Sequence, residues 1–62
     1  MEVHVFLKQQ KEPVIYSGDR VDVLDFQLNG ISYKQIRYFK KGFSKSELIE
    51  EKIINKILKK ED

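Results

Sequence analysis

The chain has 62 residues, 40% of them apolar and 35% charged, with a net charge of +2 and no cysteine. Such a chain forms one domain near the lower limit for a free-standing core, with about 60% of its surface buried on folding. Without cysteine it has no disulfide staple, no thiolate metal site and no thiol chemistry. No apolar run approaches the length of a membrane span, and the N-terminus lacks a signal-peptide layout. A cytoplasmic protein is the expectation.

Val3, Val5 and Leu7 alternate with Glu2, His4 and Phe6, which predicts a first strand over about 2–8. A polar connection, Gln9 to Glu12, leads to Pro13, which lacks an N–H and suits the start of a strand or a sheet edge. A short second strand follows over 13–17. Gly18-Asp19 then offers a two-residue turn that would set Tyr16 opposite Val21 and Val14 opposite Val23.

The clearest signal is the run from Leu24 to Gln35. Two alternating segments meet at Asn29-Gly30, the dipeptide suited to a type I′ turn because both positions take positive φ. Folding there places Leu28 opposite Ile31, Phe26 opposite Tyr33, and Asp25 opposite Lys34. Apolar meets apolar and acid meets base in that single register. The hairpin strands are expected over about 20–28 and 31–40.

Gly42 is expected to end the sheet. Ser44-Lys45-Ser46-Glu47 then fits a capping box, with Phe43 and Leu48 as its hydrophobic staple. Leu48, Ile49, Ile53, Ile54, Ile57 and Leu58 recur at helical spacing, and Lys56, Lys59 and Lys60 suit the C-terminal end of a helix dipole. These signals predict a helix over about 45–60. The expected fold is therefore α+β: a single domain, 1–62, with a four-stranded, mainly antiparallel β-meander and one C-terminal α-helix packed on a face of the sheet.

Gly42 to Ile49 also resembles the opening of the second helix in ribbon-helix-helix DNA-binding proteins, over residues 42–58 at most. In that family a longer helix precedes the segment, and a strand before it enters the major groove. The resemblance implies a DNA-binding repressor if Ser32 to Lys41 winds into a short helix. The tyrosine, isoleucine and phenylalanine of that stretch favour a strand.

The hairpin alternation changes phase along its length. Near the turn, Leu24, Phe26, Leu28, Ile31 and Tyr33 share one face; further away, Val21, Val23, Ile36 and Tyr38 occupy the other. Both strands switch at the same level, so a single β-bulge does not account for it. One helix covers only one of these surfaces. The other is either buried by a strongly twisted or partly closed sheet, or is a contact for a second copy or another protein.

Nothing in the sequence assembles a catalytic centre. His4 is the single histidine and has no serine or cysteine near it in sequence. Asp19, Asp22 and Asp25 would share a face on a helix, but on a strand they point to alternate sides, so neither metal nor cofactor is expected. The expected function is a small non-catalytic regulatory or inhibitory protein acting by protein–protein binding through Leu24, Phe26, Leu28, Ile31 and Tyr33, with a homodimer as one form. The alternative is nucleic-acid binding by the basic-aromatic segment 33–45, through Lys34, Arg37, Lys40, Lys41 and Lys45. There cations would meet phosphates and rings would stack on bases. No small-molecule substrate and no membrane is implied.

Overall fold

In the computed structural model, which describes residues 1–61, the chain is all-β. Its strands are β1 (Glu2–Leu7), β2 (Val14–Ser17), β3 (Arg20–Leu28), β4 (Ile31–Lys40), β5 (Phe43–Glu50) and β6 (Ile54–Lys60), with a single 3₁₀ turn at Glu51–Ile53. They form two three-stranded antiparallel sheets, ordered β2-β1-β6 and β3-β4-β5. The sheets stack as two layers in a body only 14 Å across its thinnest dimension.

The Asn29-Gly30 hairpin forms in the register the side-chain pattern specifies. Asn29 and Gly30 have φ of 52° and 80°, and Leu28↔Ile31, Phe26↔Tyr33, Asp25↔Lys34 and Val23↔Ile36 are all cross-strand pairs. Residues 31–40 are strand throughout, which removes the short-helix alternative.

The C-terminal helix is absent, and the fold is not α+β. Lys41 and Gly42 have φ of 43° and 87°, which repeats the geometry of the first hairpin. The chain therefore reverses where the sheet was expected to end, and Phe43–Glu50 pairs with β4 along its whole length. Ser44 and Glu47, read from the sequence as a capping box, are strand residues on opposite faces. The apolar spacing that suggested one helix comes from two strands separated by a 3₁₀ turn. Their isoleucines (Ile49, Ile54 and Ile57) are β-branched, pack well on a pleated surface and lose side-chain freedom in a helix. All three pack against the core.

The four-stranded meander fails at Gly18-Asp19. Gly18 does not take positive φ, and the expected Tyr16–Val21 and Val14–Val23 pairs do not form. Instead β2 pairs with β1, through Val3↔Tyr16 and Val5↔Val14, and the chain crosses at Gly18 to the other sheet. The crossing is pinned from both sides. Met1 donates its ammonium to the Gly18 carbonyl and accepts the Gly18 N–H, both at 3.2 Å, while the Asp19 N–H bonds the Phe39 carbonyl at 2.8 Å. The corner is so tight that a Cβ on Gly18 would lie 2.5 Å from the Phe39 oxygen.

Val3, Val5, Tyr16, Val21 and Ile36 form the buried centre, each at most 5% exposed. β6 completes the first sheet against β1, with one register shift between Phe6 and Leu7. The opposite face of that sheet carries Phe6 under Lys56, whose ammonium lies 4.9 Å from the ring centroid.

Two stability outcomes follow. Gly18→Ala must displace backbone rather than a side chain, so it should cost about 1–3 kcal/mol in urea unfolding, while Ser17→Ala beside it should be nearly silent. Ile36→Ala, which empties the centre of the second sheet, should cost about 2–5 kcal/mol.

Candidate protein-binding face

The first sheet is short and covers only part of the second. Where it overlies β3 and β4, their inner face is apolar: Val21, Val23, Ile36 and Tyr38 belong to the core or pack against it. Beyond that cover, towards the Asn29-Gly30 turn, the inner face becomes Asp25, Gln27, Ser32 and Lys34. Lys34 forms an ion pair with Asp25, and the Gln27 amide donates to the Ser32 hydroxyl at 3.2 Å. The hydrogen bond to Asp25 holds the Lys34 ammonium pKa above its ordinary value. With the 3₁₀ residue Glu51, this end frames an open polar depression of about 540 Å³.

The outer face of the same hairpin end is apolar. Leu24, Phe26, Leu28 and Ile31 are between 38% and 51% exposed, and Tyr33 is half-buried beside Phe26, with ring centroids 6.3 Å apart at 55°. The phase switch thus marks the point where the covering sheet stops. Inner and outer faces exchange character there, and the monomer leaves the outer apolar cluster open to solvent.

One member was not visible in the sequence. Leu48, 47% exposed, lies in the same cross-strand row as Leu24 and Gln35 and extends the cluster onto β5. Its spacing with Ile49, Ile53 and Ile54 predicts a helix there instead. The signal that would have found it is the Lys41-Gly42 turn followed by Ser44, Ser46 and Leu48 on one side of a strand. Asp22, Arg37 and Glu50 border the cluster on the same face.

The five basic residues of the nucleic-acid alternative do not share a surface. Arg37 lies on the outer face, Lys34, Lys40 and Lys45 on the inner, and Lys41 in a turn. Lys34 is paired with Asp25, and Lys45 stands 6.0 Å from the Phe43 ring centroid. Tyr33 and Phe39 are on the face opposite Lys34 and Lys40, whereas Tyr38 and Phe43 share the inner face with Lys40 and Lys45, so the rings are divided between two faces rather than forming one stacking platform. The aspartates also separate. Asp19 accepts the Lys41 N–H at 3.3 Å, Asp22 is bonded to Arg20 at 3.1 Å on the outer face, and Asp25 faces inward. His4 Nε2 lies 2.9 Å from Glu2 Oε1 on the exposed face of the first sheet.

A second depression, about 310 Å³, lies between β2 and the inner face of β4 and β5, lined by Tyr16, Tyr38, Lys40, Phe43, Lys45 and Glu47 among others. Tyr16, at 5% exposure, donates its hydroxyl to Glu47 Oε1 at 3.4 Å. Burial, then the charge of Glu47 and the hydrogen bond to it, push the Tyr16 pKa up to about 12. The phenol is held protonated, the reverse of what an activated oxygen nucleophile needs. Among the described residues, no helix is long and apolar enough to cross a membrane. Compared with known protein families, curated proteins and solved structures, the chain matches none.

Tyr16 supplies a pH test. An unfolded tyrosine releases its proton near 10.0, whereas the folded one keeps it to about 12. Its contribution to stability is therefore complete below pH 10 and is lost as pH rises through about 12. Phenolate absorbance should show the Tyr16 phenol titrating late, and Glu47→Gln should bring it earlier.

Proposed function

We propose that this chain is a non-catalytic, cytoplasmic regulatory or inhibitory domain that acts by binding another protein through the outer face of β3-β4-β5. The observation that carries this reading is the inversion of the hairpin end. Five aliphatic and aromatic side chains, joined by Leu48, stand outward on a regular hydrogen-bonded sheet, while their inner neighbours are polar and paired. A sheet stabilised only by its own core would carry the opposite pattern, with polar residues outward. Contiguous apolar patches rimmed by charge are characteristic of protein contacts, and Phe26 and Tyr33 are the residue types that anchor them. The extended backbone on which they stand is fixed by cross-strand pairs on both sides of β4, so little ordering cost attends binding.

The nucleic-acid reading is the weaker one, because only Lys40 and Lys45 stand together with rings on one face, while Arg37 and Lys41 lie off it and Lys34 is paired with Asp25. At low salt, single- and double-stranded DNA and RNA should give no electrophoretic shift with the chain. A shift that fades steeply with salt and with Lys40→Ala or Lys45→Ala would reinstate that reading.

The direct test is Phe26→Lys with Ile31→Lys. Both side chains point away from the core, so the double variant should keep the parent's circular dichroism and melt within a few degrees of it. Proteins retained by the immobilised parent chain should be lost by the double variant and kept by an Arg20→Ala control at the far end of the same face. If the double variant unfolds, these residues are structural and the proposed face is wrong.

A further inference from the structure

Strand β5 is the outer strand of its sheet, and Phe43 to Leu48 are all exposed. Lys40 and Phe43 flank a two-residue turn and so form a hydrogen-bonded pair. By alternation Phe43, Lys45, Glu47 and Ile49 direct their N–H and C=O groups towards β4. Ser44, Ser46, Leu48 and Glu50 direct theirs outward, where no strand of the described residues meets them. Proteins blunt such an edge with proline, a bulge, a covering segment or charged side chains, and β5 carries Lys45 and Glu47 among the last, opposite in sign. β5 has no proline, and its pairing with β4 is unbroken.

The side chains of β5 are arranged symmetrically about Ser46. Lys45 and Glu47 flank it with opposite charge, and Phe43 and Ile49 lie beyond them with apolar groups. From this we infer that the partner of the β5 edge is a second copy of this chain, joined antiparallel about a two-fold axis at Ser46. Ser46 then meets the partner's Ser46, and Ser44 meets the partner's Leu48, as the hydrogen-bonded pairs. Lys45 faces the partner's Glu47 and Phe43 faces the partner's Ile49 at the intervening positions, where antiparallel side chains come closest.

The register is selected by charge. Outward-facing residues must meet outward-facing residues, so the nearest alternatives, which keep most of the strand paired, shift by two. One sets Lys45 against the partner's Lys45, and the other sets Glu47 against the partner's Glu47. Both place like charges directly opposite each other. The internal contacts of these residues are compatible with pairing, since Glu47 engages Tyr16 through Oε1 and Lys45 rests near its own Phe43 ring.

A two-fold axis perpendicular to the sheet keeps both outer faces on the same side. The dimer is then a six-stranded sheet carrying two Phe26 clusters that look in one direction. The pairing does not require that anything bind those clusters, and it is tested separately from them.

The experiment is sedimentation of the full chain from micromolar to millimolar concentration, with circular dichroism on every variant. The parent chain should show a reversible monomer–dimer equilibrium. Ser46→Pro removes an outward N–H at an edge position that accommodates proline, and should leave a folded monomer. Lys45→Glu sets like charges opposite each other twice per dimer and should weaken association about tenfold. Adding Glu47→Lys to Lys45→Glu restores both opposite-charge pairs and should recover affinity to within about threefold of the parent. A parent chain that stays monomeric at every concentration overturns the inference. So does a dimer indifferent to Ser46→Pro, or a double swap that folds without recovering association.

Discussion

Val3 and Val5 from one sheet meet Val21 and Ile36 from the other, with Tyr16 closing the side, and the rest of the molecule depends on that contact. A chain this short has little else to bury, so where the two sheets overlap decides which surface is interior. Every strand contributes one face to the overlap or extends past it. The hairpin β3-β4 does both. Its inner face is core near Val21 and solvent-facing near Gln27, and its outer face changes in the opposite sense.

This geometry explains why the hairpin was legible in the sequence and the architecture was not. Asn29-Gly30, the pairs around it and the level of the phase switch are local, and local side-chain alternation specifies them. The identity of each sheet's third strand is not local. Val14 and Tyr16 would suit β3 as well as they suit β1, and what separates the two arrangements is the crossing at Gly18, which lacks positive φ and is held by backbone bonds to Met1 and Phe39. In the C-terminal third, Ser44-Lys45-Ser46-Glu47 carries a helix-start pattern and Leu48 to Leu58 a helical spacing. Both were overridden by pairing with β4 and β1. The two edges needed partners, and a helix supplies none.

The outer apolar cluster was recognisable for the same reason as the hairpin: five of its members lie within ten residues of one turn. Leu48 was not, since it joins them across two strands. The basic segment misled in the opposite way. Lys34, Arg37, Lys40, Lys41 and Lys45 are neighbours along the chain, but a strand sends successive residues to opposite faces, so Arg37 is parted from Lys34, Lys40 and Lys45, and Lys41 lies in a turn.

The three glycines of this chain are of two kinds. Gly30 and Gly42 are needed for a dihedral angle that asparagine or aspartate can also adopt, and a Cβ on either would meet open space. Gly18 is needed for room, because another strand's backbone occupies the place of its side chain. Sequences that drift while keeping this fold can exchange the residues of both hairpin turns, but at the crossing between sheets any side chain must push aside the backbone of β4. Position 18, which draws little notice in a single sequence, is thus the mark by which distant members of such a lineage would be known.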